Sequence, residues 1–126
     1  MPRTFCIQAI HHVSLLVDDL PRALGFYQQV LGLVIDPQRP DTEYPGAWLN
    51  LNDQQLHLLQ LPDPHRENTR CGDGGRDRHL ALQVTDLQPL IARLQQQQID
   101  YTLSRSGRQA LFCRDPAGNA LEFVEA

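Results

Sequence analysis

His12, His57, His79 and Glu122 are the residues of this 126-residue chain best suited to chemistry. Imidazole nitrogens and a carboxylate are ordinary ligands of a divalent metal, and imidazole also moves protons near neutral pH. What gathers the four is a repeat. His12-Val13-Ser14-Leu15-Leu16-Val17-Asp18-Asp19-Leu20 aligns without a gap against His79-Leu80-Ala81-Leu82-Gln83-Val84-Thr85-Asp86-Leu87, and Leu56-His57 aligns with Leu121-Glu122 at nearly the same offset. Two copies of one unit would place all four residues at equivalent positions.

Alternation supplies the means of aiming them, because successive side chains of a strand point to opposite faces. Val13, Leu15 and Val17 form one apolar face opposite His12, Ser14 and Leu16, while Leu80, Leu82 and Val84 oppose His79, Ala81 and Gln83. Leu56 and Leu58 flank His57, and Leu121 and Phe123 flank Glu122. Each candidate ligand therefore faces away from an apolar row that a helix could cover, and four strands could aim four ligands into one concave surface. For His57 taken alone, a hydrogen-bonded core histidine is the competing reading.

The elements that must position these residues repeat as well. Asp19 is expected to cap a helix with Pro21 in its first turn, its apolar face formed by Leu20, Leu24, Tyr27, Val30 and Leu31 and its end marked by Gly32. A short strand over 33–36 follows, then a segment broken by Pro37, Pro40 and Pro45, then a hairpin of 47–51 and 55–61 across Asn52-Asp53. Residues 62–78 are polar, rich in glycine and proline, and read as a connector. After His79 the same order returns: Asp86 caps a helix to about Gln98 with Leu87, Leu90, Ile91 and Leu94 inward, and strands are expected near 100–104, 109–114 and 119–125. The predicted organisation is one α+β domain over 1–126, made of module 8–61, connector 62–78 and module 79–126.

Several residues have simpler readings than chemistry. By alternation His11 faces the helix and is structural, His65 is solvated, and Phe26 and Tyr27 pack in the core. Asp115 and Gly118 shape a turn, with the aspartate accepting backbone N–H bonds and the glycine allowing positive φ. Gln83, Arg108 and Arg114 are available to an anionic substrate.

Composition narrows the function. A net charge of -4 without a basic cluster argues against a nucleic-acid partner, and no apolar run is long enough for a membrane span. Cys6, Cys71 and Cys113 are odd in number and lack C-x-x-C spacing, which argues against a disulfide framework or a structural zinc knuckle. No G-x-G-x-x-G, P-loop or G-x-S-x-G occurs, which removes dinucleotide, phosphate-loop and serine-hydrolase readings. The expectation is a cytoplasmic protein with a small-molecule partner.

The stretches IHHVSLLVDDLPRALGFYQQVLGL, HLALQV and DPAGNALEF, within two such units, resemble the vicinal oxygen chelate superfamily, which includes glyoxalase I, extradiol dioxygenases, fosfomycin-resistance enzymes and bleomycin-binding proteins. The resemblance implies two tandem βαβββ modules whose mixed sheets curve into a cup, with helices outside, around one divalent metal ion: nickel, zinc, cobalt, manganese or iron(II). By position, His12, His79 and Glu122 match the metal ligands, and His57 stands where glyoxalase I usually has a second glutamate. It follows that His57 is either a fourth ligand or, with Glu122, a catalytic proton carrier.

The activity implied is that of a metal-dependent glyoxalase-family lyase or isomerase acting on a small substrate chelated through adjacent oxygens. An extradiol-type dioxygenase, a thiol transferase of the same superfamily, and a non-catalytic drug- or metabolite-binding protein are the alternatives. Open sheet edges and the habit of relatives imply a homodimer.

Overall fold

The computed structural model describes residues 3–66, 70, 72 and 74–126. Cys71 lies outside the described residues. Residues 3–11, without regular secondary structure, lead into β1 (His12–Val17), followed by α1 (Leu20–Leu24), β2 (Gly46–Leu51) and β3 (Gln54–Gln60). Then come β4 (His79–Val84), α2 (Leu87–Gln96), β5 (Tyr101–Leu103), β6 (Ala110–Arg114) and β7 (Ala120–Glu125). The strands form two mixed sheets, ordered β1-β3-β2 and β4-β7-β6-β5, and the fold is α+β.

Both helices start as the sequence requires. Asp19 accepts the Arg22 N–H at 3.2 Å and Asp86 accepts the Gln88 N–H at 2.9 Å, each satisfying a donor that the first helical turn leaves free. The first helix departs from the regular periodicity: after Leu24 it widens into a π-helical segment, Gly25–Val30, with the Leu31 N–H reaching back to the Phe26 carbonyl. Consecutive Phe26 and Tyr27 are both buried there, edge to face with ring centroids 5.1 Å apart. The second helix buries Leu87, Leu90 and Leu94.

The strand expected over 33–36 is reduced to one bridge, Ile35 to Leu49. Its counterpart β5 pairs for three residues. The difference has a local cause: the Asp36 N–H reaches the Trp48 carbonyl at 2.8 Å, but the next donor facing β2, the Gln38 N–H, is turned onto Asp36 Oδ1 at 2.9 Å, and the ladder stops there. The Asn52-Asp53 hairpin forms with Asn52 at φ 51, a conformation asparagine tolerates.

Parallel pairing sets the positions that matter. In β1–β3, His12 lies opposite Gln55 and Ser14 opposite His57; in β4–β7, His79 lies opposite Ala120 and Ala81 opposite Glu122. In both sheets the first-strand histidine is thus two residues out of step with the last-strand candidate ligand. The hairpins match too, with Trp48 opposite His57 and Phe112 opposite Glu122.

One core joins the modules, uniting Leu49, Leu56 and Leu58 with Leu94, Leu111 and Leu121, all fully buried. The helices touch, and Arg93 Nη1 donates to the Val30 carbonyl at 2.9 Å. A polar staple crosses the same boundary: the Tyr27 hydroxyl donates to Asp115 Oδ2 at 2.6 Å, and Asn119 Nδ2 donates to Asp115 Oδ2 at 2.8 Å and to the Leu16 carbonyl at 2.9 Å. Asp115 also accepts the Ala117 and Asn119 N–H groups, and Gly118 takes φ 93. The Asp-Pro-Ala-Gly turn therefore does more than reverse the chain, since it anchors the second module on the first.

Candidate functional site

The apolar rows of β3 and β7 bury Leu56, Leu58, Leu121 and Phe123, which sends His57 and Glu122 to the opposite faces of their sheets. Both remain secluded, at 8% and 4% exposure, whereas His12 and His79 stand at the exposed start of their strands. The four residues come together as two pairs, His12 with His57 and His79 with Glu122. Among the described residues, no three His, Cys, Asp or Glu side chains of one chain gather closely enough to hold a metal ion.

In the first pair the rings are stacked, with centroids 4.1 Å apart and planes 16° from parallel. Trp48 also stacks on His57, at 4.7 Å and 9°. A chain of hydrogen bonds fixes the tautomer of His57. The Asp36 carboxylate accepts from Gln55 Nε2 at 2.8 Å, which turns Gln55 Oε1 toward His57 Nε2 at 2.9 Å. That nitrogen must therefore carry the hydrogen, leaving the Nδ1 lone pair free. Burial, followed by the charges of His12, His11 and Arg39, lowers the His57 pKa below its usual 6.5 and keeps the ring neutral at pH 7.

His11 is not helix-facing. It precedes β1, lies exposed, and shares a 2.8 Å hydrogen bond between its Nδ1 and that of His12. The reason is that the strand begins only at His12, so the alternation does not extend to residue 11.

In the second pair His79 Nδ1 donates to the Asp77 carbonyl at 2.9 Å, directing Nε2 at Glu122 Oε1, 3.1 Å away. In a neutral imidazole that nitrogen bears a lone pair, so a proton or a cation is needed between it and the carboxylate. The donor types and this orientation fit a divalent metal ion. Arg108 Nη2 approaches the other oxygen, Oε2, at 2.6 Å. The Asp77 carboxylate meanwhile collects Arg114 at 2.9 Å and Arg70 at 2.8 Å, and these guanidiniums hold its pKa down at about 2. A cavity of about 230 Å³ opens beside His79 between β1 and β4, lined in part by Val13, Leu15, Arg70 and Arg78.

Trp48, Gln55, Asp36 and Asp77 belong to this arrangement and went unnoticed in the sequence. Trp48 had a signal: counting back from the two-residue Asn52-Asp53 turn sets it opposite His57. Asp77 had none, because it acts from an irregular connector partly through its main chain.

Residues 9–123 match the Glyoxalase/Bleomycin resistance protein/Dioxygenase superfamily. The chain is 30% identical over 122 residues to Glyoxylase I 4 of Arabidopsis thaliana, an alignment covering 92% of this chain and 70% of that one. The structure of lactoylglutathione lyase from Agrobacterium tumefaciens is similar with a TM-score of 0.66 at 25% identity, over 95% of each chain. A variant of the fosfomycin resistance protein FosX from Listeria monocytogenes, complexed with Mn(II) and 1S,2S-dihydroxypropylphosphonic acid, is similar with a TM-score of 0.77, covering 96% of this chain and 94% of that one. At 12% identity that likeness shows the fold alone. The doubled module, its matching registers and a match across nearly its whole length agree: this chain belongs to the glyoxalase/bleomycin resistance protein/dioxygenase superfamily, the vicinal oxygen chelate proteins.

Proposed function

We propose that the protein is a divalent-metal-dependent lyase or isomerase of glyoxalase type, acting on a small substrate held through two adjacent oxygens. The observation that carries this reading is the pairing of His79 Nε2 with Glu122 Oε1 across 3.1 Å, at the place in its module that His12 and His57 occupy in the other. His12 from one sheet and His79 and Glu122 from the other would hold the metal, with His57 either the fourth ligand or, left unbound, the proton carrier. When bound, nickel, zinc, cobalt, manganese or iron(II) supplies Lewis-acid polarisation of the chelated oxygens. Arginine on Glu122 Oε2 steadies the carboxylate before loading, and the stacked, neutral His57 is suited to accept a proton from a carbon next to those oxygens.

Because the two pairs do not converge in one chain, we further propose that a homodimer brings the first pair of one protomer to the second pair of its partner. The superfamily match and the likeness to the lyase support the class of chemistry by kinship. Metal content after dialysis against each cation, followed by assay with methylglyoxal and glutathione, tests the proposal. Turnover with one bound metal supports it, whereas metal uptake without turnover removes glyoxalase I activity and leaves its relatives.

A second reading is favoured by one contact. Arg108 already neutralises the only carboxylate of the set, as it would in a metal-free module that sequesters a drug or metabolite. Protein that retains no metal and gains no thermal stability from added cations would establish that reading instead.

A further inference from the structure

Arg39 lies in the proline-broken segment before β2 and is not among the residues proposed to hold the metal. Its guanidinium is caged. Nη2 donates to Thr42 Oγ1 at 2.9 Å and to the Tyr44 carbonyl at 3.1 Å, and the charge sits 5.6 Å from the centre of the Tyr44 ring. Below it, Gly46 opens β2: a Cβ there would fall 2.6 Å from Nη2 and 2.6 Å from the Leu58 carbonyl oxygen, so only glycine lets the guanidinium settle against the strand. Two residues further along β2, and so on the same face of the strand as Gly46, Trp48 stacks on His57. The Nε and Nη1 donors have no partner among the described residues. A guanidinium held at one nitrogen, open at the other two and fixed beside a site is preorganised for an oxyanion.

We infer that Arg39 is the specificity-determining residue of the site: it binds a carboxylate or phosphate at the end of the substrate away from the chelating oxygens, so the substrate class is a small anion. The inference rests on the metal-site reading for the position of those chelating oxygens.

The test uses the zinc-loaded full chain and the emission of Trp48, its single tryptophan. L-lactate offers a hydroxyl and an adjacent carboxylate for chelation, L-malate adds a second carboxylate, and 3-phosphoglycerate adds a phosphate. At least one of the latter two should bind about tenfold or more tightly than lactate, and whichever does identifies the group. Arg39→Gln should bring that ratio close to one while leaving lactate binding intact. Arg39→Lys should restore part of it, and Thr42→Val, which loosens the cage, should reduce it.

Equal binding of all three anions to the unaltered protein, or a ratio that survives Arg39→Gln, overturns the inference and makes the guanidinium a staple of its loop only. If zinc and lactate bind and only the anion preference is missing, the metal-site reading stands without this one. If zinc does not bind yet malate or phosphoglycerate is preferred through Arg39, the anion site stands and the metal reading falls.

Discussion

The imidazole of His57 lies flat on the indole of Trp48, ring centroids 4.7 Å apart and planes 9° from parallel. With His12 on its other face, the ring has little water for its charged form, and burial is the largest cause of its lowered pKa. A group whose folded pKa is depressed adds stability above its unfolded value of 6.5 and loses it as pH falls toward the folded value. The protein should therefore lose stability between pH 7 and pH 5. His57→Phe keeps a flat ring in the stack and should shrink that loss. Melting temperatures of both proteins across this range check the sign, and an unchanged slope in the variant would show that His57 does not titrate there.

Replacing Glu122 by Gln removes the only anionic member of the set and should lower metal affinity by at least an order of magnitude, in line with the effect of altering groups around a metal. His57→Ala should cost less affinity and more rate if the ring carries a proton, and as much affinity as His79→Ala if it is a full ligand. Isothermal titration with zinc, alongside turnover, separates the two roles.

Tyr27 and Asp115 hold the modules together through one buried bond of 2.6 Å. Tyr27→Phe preserves the ring packing and leaves the buried carboxylate one donor short, so it should destabilise the protein by about 1–3 kcal/mol. Urea denaturation gives the value. A change within a few tenths of a kcal/mol would mean that the remaining Asn119 and backbone donors satisfy Asp115 without the tyrosine.

How far the sequence revealed this arrangement depended on how local each determinant is. The strands carrying His12, His57, His79 and Glu122, the caps at Asp19 and Asp86, and the Asn52 turn all rest on period-two alternation or on residues within a few positions of each other. The family resemblance rested on the same stretches. The π-helical widening after Leu24 was hidden, because Phe26 and Tyr27 are both apolar and fit a regular helix face equally well. The loss of the strand at 33–36 was legible in principle from Asp36-Pro37, a pair that favours a turn in which the aspartate accepts the N–H two residues on. The role of Asp77 was not, since a backbone carbonyl that orients His79 leaves no mark on residue type. Nor could spacing reveal that Asn119 reaches the Leu16 carbonyl from 103 residues away.

On the proposal made above, the two pairs are halves of one metal site completed between protomers. Two double variants test it directly, one lacking His12 and His57, the other lacking His79 and Glu122. Each alone should bind no metal. Unfolded together, refolded as a mixture and analysed for zinc, they should regain it, because a mixed dimer rebuilds one complete site from the intact half of each chain. Zinc retained by either variant alone, or absent from the mixed dimer, would show that the two pairs do not form a shared site.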